Sequence, residues 1–244
     1  PKNTASYPLH NQKTKQRLEC FCHYRINPND LSQFATFPCN VRAFTDETFK
    51  VWRCPNCQTI HALDVVDLDY YYAKYPVSDA TLTWPYRIIY RKLHQRLIKH
   101  GFSKNYSLLD YGCGANGLFL QYLQQKGFTN CYGYDPYGSP ESFGDATVLQ
   151  QKPFNYILLQ DVIEHVDDPD ALLSELNHLL APGGYILIGT PNAANIDLTR
   201  PDISDHYNPI HAPYHLHLYT PKTLESLGNR QGWESVEFFD RAYY

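Results

Sequence analysis

The sequence predicts an α/β fold: a doubly wound, mostly parallel sheet with a small cysteine-rich module on its amino-terminal side. Three observations predict it. From Tyr106 onward, short apolar segments alternate with helix-periodic ones. A three-glycine turn, LLDYGCGANG at 108–117, joins the first such strand to the first such helix, and residues 1–62 hold five of the seven cysteines with little periodicity. Alternation of this kind lays strands side by side in a parallel sheet with helices on both faces. A coreless, cysteine-rich segment is one held together by something other than hydrophobic burial.

Residues 63–105 are rich in Tyr and then in Arg, Lys and His. Within them Ile88, Ile89, Leu93, Leu97 and Ile98 recur at three and four residues, so 85–100 is expected to be an amphipathic helix over the edge or mouth of the sheet domain. Strands are expected at 106–111, 131–135, 154–160, 184–190 and 233–240, with helices near 115–126, 168–180 and 221–231. The expected domains are therefore 1–62, the cysteine module; 63–105, a helical linker or lid; and 106–244, the sheet domain.

With 21 basic and 25 acidic side chains the net charge is −4, which makes nucleic acid an unlikely general partner. No apolar run has the length of a membrane span, and the opening PKNTASYPLHNQKTK is too polar for a secretory signal, so a cytoplasmic protein is expected. The chain has no methionine, even at position 1, so either its composition is unusual or residues are missing and some spacings are short by one.

Gly112, Gly114 and Gly117 have the spacing of a dinucleotide-binding turn, which alone is weak, because a tight strand-to-helix connection also wants glycine. The neighbours sharpen it. Asp110 lies two residues before the first glycine, and Asp135 ends the next strand, where an acid binds ribose hydroxyls. A pyrophosphate would meet Asp110 as a like charge. A sulfonium and an ammonium would be favoured by it, and a ligand carboxylate can still use backbone N–H groups at a helix start.

LLDYGCGANG, YGYDP and YILLQDVIEHVDDPDALLSELNHLLAPGGYILIGTPN together resemble the class I S-adenosylmethionine-dependent methyltransferases, especially the small-molecule branch that includes the ubiquinone-pathway O-methyltransferases. The resemblance covers roughly residues 85–240. It implies that the donor rests on Asp110, Gly112, Gly114 and Gly117, its ribose on Asp135, its adenine near Asp145 and Ala146, and its methionine side along Gln160. Asn155-Tyr156 departs from the usual Phe-Asp, away from the cofactor. The family's terminal hairpin has WESVEFFD for one strand but only RAYY for the other, so the last strand is expected to be very short or the sequence truncated.

Methyl transfer is an in-line displacement in which alignment supplies much of the rate, and a base is needed only where the acceptor loses a proton. In QDVIEHVDDP, Asp161, Glu164 and His165 stand at i, i+3 and i+4, one face of a helical turn, and would hold Mg2+ beside a catechol-like acceptor, as the ubiquinone-pathway enzymes do with a comparable set. The bland alternative is that Glu164 and His165 position a loop under the cofactor. HYNPIHAPYHLHLYTPKTL brings His206, His211, His215 and His217. By resemblance to relatives with a histidine before an aromatic and a helix cap, His217 is the first candidate base and His215 the next. Thr220 caps a helix with Pro221 at its first position. YYYAKY at 70–75 fits an acceptor lid and the packing of a short helix equally well.

Cys54 and Cys57 have the two-residue spacing of a zinc knuckle, and Cys20 and Cys22 supply two more thiolates for a closed tetrahedral zinc site. The resembling family has members with such an amino-terminal segment, where two residues usually separate each pair. The single residue between Cys20 and Cys22 suggests one missing, and His23, Cys39 and His61 are reserve ligands. Cys113 and Cys131 read as small buried residues. The expected function is methyl transfer from S-adenosylmethionine to a small-molecule acceptor, a hydroxyl or a sugar-derived group. The competing reading is a non-catalytic zinc-ribbon interaction protein on the same fold.

Overall fold

In a computed structural model, residues 15–75, 80–139, 141–200 and 209–239 are described. The elements in chain order are β1 (Lys15–Gln16), β2 (Phe34–Pro38), β3 (Thr48–Arg53), β4 (Ile60–Ala62), β5 (Asp64–Val65), α1 (Leu68–Tyr72), α2 (Trp84–Lys99), β6 (Leu108–Tyr111), α3 (Leu118–Gln125), β7 (Cys131–Tyr134), β8 (Phe154–Gln160), α4 (Pro169–Leu179), β9 (Leu180–Gly189), β10 (His217–Leu218) and α5 (Pro221–Arg230). They fall into two units, one of residues 1–76 with 192–223, the other of 77–191 with 224–244. Neither boundary set matches the three domains expected. Residues 192–223, expected in the sheet domain, belong with the cysteine module, and 77–105 with the sheet.

The second unit contains the parallel sheet, ordered β7-β6-β8-β9 with every pair parallel. The chain moves one way from β6 to β7 and the other way from β8 to β9. Right-handed crossovers then place α3 and α4 on opposite faces, which makes the sheet doubly wound, with its switch point between β6 and β8. β6 and β8 are buried along nearly their whole length, and Leu108, Leu158 and Tyr156 pack with Phe119, Leu123 and Phe128. Two expectations fail here. β9 begins four residues early, at Leu180, because its backbone already pairs with Phe154 before an irregularity in the ladder. Residues 233–239 form no strand; Glu237 instead accepts from Lys99 at 2.6 Å and pairs with His100 at 2.7 Å, and Arg96 lies over the Phe239 ring.

In the first unit a four-stranded antiparallel sheet runs β10-β4-β3-β2, with β1 paired to β5 separately. Its core gathers Phe37, Phe49, Val51 and Ile60 with Ile210, Tyr214 and Leu218 from the returning segment. The tyrosines of 70–72 serve this core. Tyr71 is buried, its hydroxyl donates to Glu47 at 2.7 Å, and its ring meets Phe49 edge-on. Thr220 caps α5 as expected, its hydroxyl accepting from the Thr223 N–H at 3.2 Å. No helix among the described residues is long and apolar enough to cross a membrane.

His94, on the inner side of α2, is buried against Phe102, Tyr122 and Phe128, and its Nε2 has no hydrogen-bond partner among the described residues. Burial, and then the charge of Lys126, hold its pKa below the ordinary value. The unfolded chain therefore binds a proton that the folded one refuses. This contribution to stability is intact above the unfolded imidazole pKa of about 6.5 and is lost as pH falls below it. His94→Leu is expected to flatten the decline in melting temperature between neutral and mildly acidic pH and to leave the protein at least as stable at neutrality. A steeper acid decline in the variant, read by circular dichroism, would contradict the assignment.

Candidate active site

β6 carries Asp110 to the carboxyl end of the sheet, opposite Gly133 on β7 and Leu158 on β8, and the side chain is 5 % exposed. Burial, and then the nearby Asp135, push its carboxyl up to about 7. After Tyr111 the backbone turns through Gly112, Gly114 and Gly117 with φ of +75°, +69° and +51°, a region costly for any residue with a Cβ. A Cβ on Gly112 would strike Val162, and one on Gly117 would strike the Phe143 ring. The N–H groups of Gly112 and Cys113 donate to the Tyr134 carbonyl at 2.7 and 3.4 Å. Gly117 is the residue preceding the first turn of α3.

Asp135 fastens this loop. Its Oδ2 accepts from the Gly114 N–H and its Oδ1 from the Tyr137 N–H, both at 2.9 Å. A carboxylate oxygen has more than one acceptor direction, so both keep capacity for ligand hydroxyls. Asp145 caps the turn formed by residues 146–151, which Ala146 begins, accepting from the Thr147 N–H and hydroxyl at 2.9 and 2.7 Å. The Thr147 hydrogen bonds hold its pKa below the usual carboxylate value. The Gln160 amide lies over Gly189 of β9, in the space a Cβ there would take. Sequence reasoning missed Phe143. With φ of +64°, its ring sits over both Gly117 and Gly133, and the only signal was an aromatic just before Gly144. Cys113 and Cys131 are half-buried rather than buried, and burial raises both thiols.

The expected helical face of Asp161, Glu164 and His165 does not form. Asp161 has φ of +54° and precedes a short 3-10 turn over Ile163–His165, so the i, i+3, i+4 geometry of an α-helix does not apply. The three do not converge as one set of ligand atoms. Glu164 is fully buried and His165 half-buried. Because Val162 lies against Gly112, this turn starts directly beside the glycine loop.

In the first unit, the ligand atoms of Cys20, Cys22, Cys54 and Cys57 all lie within 4.8 Å of one another, and no disulfide joins them. The sulfurs of Cys20 and Cys57 are 3.3 Å apart and those of Cys22 and Cys54 3.4 Å apart. Two turns of the same kind present them. The Cys54 N–H donates to Thr59 O and the Gln58 N–H to Cys54 O; likewise the Cys20 N–H donates to Tyr24 O and the His23 N–H to Cys20 O. Each turn ends on a left-handed residue, Gln58 at φ +65° and His23 at φ +66°. The first knuckle thus closes with one residue fewer than the second. Burial raises the Cys20 and Cys54 thiols; for Cys57 burial is outweighed by hydrogen bonds, chiefly from Thr59, that lower it to about 7. The reserve ligands stay apart from this group: Cys39 is in the apolar core, and His61 faces His217.

His217 is buried on β10, with Nδ1 2.9 Å from Nδ1 of His61 on β4. Phe21 packs edge-on against His217, and Trp52 stacks on His61. Burial, then His217 and Arg17, hold His61 well below its ordinary pKa. His215 Nδ1 lies 2.6 Å from Pro209 O, and His211 Nδ1 lies 2.8 Å from Asn40 Oδ1. His206 falls outside the described residues.

A family model described as a methyltransferase domain matches residues 85–237. The chain belongs to that methyltransferase family. Among curated relatives, ubiquinone biosynthesis O-methyltransferases match from Caulobacter sp. (strain K31), 30 % identical over 35 % of this chain and 40 % of the relative, and from Xylella fastidiosa (strain 9a5c), 26 % identical over 54 % and 50 %. The chain spans half or less of the length of these methyltransferases. Solved structures that match include a magnesium protoporphyrin IX methyltransferase from Synechocystis PCC 6803, at 12 % identity, 72 % of this chain, 90 % of that one and a TM-score of 0.44. Another is an O-methyltransferase family 2 protein from Planctomyces limnophilus DSM 3776, at 19 %, 61 %, 57 % and 0.41. Family membership rests on the family model.

The position of Asp135 makes a prediction about Asp110. Asp135→Asn removes the like charge but keeps an acceptor for the loop, so the Asp110 carboxyl should titrate lower than in the wild type by NMR. Asp135→Ala also removes both loop acceptors and should lower stability by about 1–3 kcal/mol. An unmoved Asp110 in the Asn variant would show that the two carboxylates do not interact.

Proposed function

We propose that the protein transfers a methyl group from S-adenosylmethionine to a small-molecule acceptor, a hydroxyl or sugar-derived group. One observation carries the reading: a buried carboxyl, Asp110, raised by burial and by a second carboxylate, beside a loop of three left-handed glycines at the switch point of a doubly wound sheet. A site arranged so is short of positive charge, and the sulfonium and ammonium of the donor supply it. The donor brings the methyl group already activated for displacement. Asp135 is assigned to the ribose hydroxyls, Asp145 and Ala146 to the adenine edge, with Phe143 against its ring, and Gln160 to the methionine side. The O-methyltransferase relatives support an acceptor hydroxyl.

His165, with Glu164 behind it in the same turn, is assigned to the acceptor proton, because the turn begins where Val162 meets the glycine loop. His217, buried with Nδ1 against His61, is assigned to holding β10 on β4. We assign the four cysteines to a structural zinc. A tetrahedral site with metal–sulfur bonds of about 2.3 Å spaces its sulfurs about 3.8 Å apart, a spacing this cluster meets with small adjustments. Four thiolates kept reduced fit a cytoplasmic setting.

The sign of the Asp110 shift fixes a test. Near neutral pH that carboxyl is part protonated, so a cationic donor should expel up to about half a proton on binding, and affinity should fall as pH drops below 7. Calorimetry in buffers of different ionisation enthalpy reads this directly; donor binding without proton release would remove the role of Asp110. His165→Gln should lower kcat with KM for the donor unchanged, whereas His217→Gln should lower the melting temperature; the reverse pattern would exchange the two roles. Elemental analysis should find about one zinc per chain, and Cys54→Ser should lose it along with thermal stability. A folded, metal-free protein would refute the zinc assignment.

A further inference from the structure

We propose that the outward face of α2 is a docking surface for an anionic lipid bilayer. The helix contains Arg87, Arg91, Lys92, Arg96 and Lys99 and no acidic residue, in a chain whose net charge is −4. Its inner face is spoken for: Leu97 is buried in the core of the second unit, with Tyr90 and Leu93 packed against it. Its outer face is not. Trp84 is 74 % exposed, and Ile88 and Ile89 are each 38 % exposed.

Spacing by four aligns Trp84, Ile88 and Lys92 along one outward line, with Arg91 beside them. The cations divide into two groups. Arg87 donates to Gln125, Lys99 pairs with Glu237, and Arg96 covers Phe239. Arg91 and Lys92 are exposed and have no acidic partner among the described residues. An exposed tryptophan and isoleucines at one end of a helix, with unneutralised cations at the next turn, match what a membrane interface rewards: rings and aliphatic side chains at the acyl boundary, cations among the headgroups.

Charge complementarity selects the occupant. A symmetric contact with a second copy would set Arg91 and Lys92 against their own counterparts, like charge on like. A nucleic acid would take the cations and leave the apolar side chains in water. An anionic bilayer accommodates both, and because the chain as a whole is acidic, attraction must come from this patch.

The proposal is independent of the donor reading and is tested without any donor. The full chain is mixed with vesicles of phosphatidylcholine alone, or of phosphatidylcholine with phosphatidylglycerol, and bound protein is separated by sedimentation. Of the three tryptophans, Trp52 is fully buried and Trp233 is half-buried with its indole N–H donated to Asn177, so the exposed Trp84 is the natural reporter. Binding is expected only to the anionic vesicles, weakened by salt, with a blue shift of tryptophan fluorescence that Trp84→Phe removes. The exposed pair Arg91→Gln with Lys92→Gln should weaken binding about 30-fold without altering melting, and Ile88→Ser should weaken it further. Equal binding to both vesicle types, no binding, or indifference to the Arg91 and Lys92 changes would overturn the proposal. A dimer that Ile88→Ser dissociates, in a protein that ignores vesicles, would give the face to a second copy; binding to duplex DNA but not vesicles would give it to nucleic acid.

Discussion

Asp110 and Asp135 stand at the carboxyl ends of adjacent parallel strands, and the first is shut away from water. Two carboxylates so placed do not both ionise freely, and the structure answers by giving Asp135 two backbone N–H donors and leaving Asp110 part protonated near pH 7. The glycine loop exists in its observed form because of the same pair. Gly114 reaches Asp135 only by taking a left-handed backbone, and Gly112 reaches the Tyr134 carbonyl likewise. Removing either glycine's freedom would detach the loop from β7 and leave the acids without their counterweight. A cationic ligand is the simplest completion of such a site, which is why electrostatics and family point to the same methyl donor.

The first unit depends on a different closure. Its strands are short, and β10 is two residues long, so beside the apolar core that residues 1–62 were expected to lack, the aromatic contacts of Phe21, Trp52, His61 and His217 and the gathered cysteines tie the sheet's ends together. The returning segment 192–223 brings Tyr214 and Leu218 into that core, and the Arg53 guanidinium donates to the carbonyls of Ala193 at 3.0 Å and of Ile196, binding the segment by its backbone. A metal on the four sulfurs would fix the knuckle from which Phe21 projects onto His217.

The parallel sheet was legible because its signals are local. β6, β7 and β8 are apolar runs bounded by turn residues, and observed strand ends differ from the expected ones by at most two residues. The helices α2, α4 and α5 were equally plain from period and caps. What escaped was non-local. Nothing in LHLYT says that His217 pairs with a strand 156 residues away. Nor does LAPGGY announce a strand running through Pro182 and two glycines, since such a triplet reads as a turn unless its partner is known. Residues 233–239 have strand-like composition, yet they form no strand among the described residues, and Glu237 turns to Lys99 and His100. The Cys20-x-Cys22 spacing looked like a deletion because the rule of two intervening residues assumes one turn geometry. A left-handed His23 closes the shorter turn with the same hydrogen bonds. The left-handed form of the glycine turn and the placing of both acids at the strand ends were readable from the motif. The collapse of the Asp161, Glu164 and His165 face was not, because it depends on a single positive φ.

On this reading the loop after β6 and the two acids beside it form a working donor pocket. The measurement to make is calorimetric titration of the purified, folded chain with S-adenosylhomocysteine, a ligand that carries the adenosine and the ammonium and needs no acceptor. One-site binding in the micromolar range, lost in Gly114→Val, is the predicted result. A folded protein that gives no heat and no thermal shift with this ligand would contradict the account.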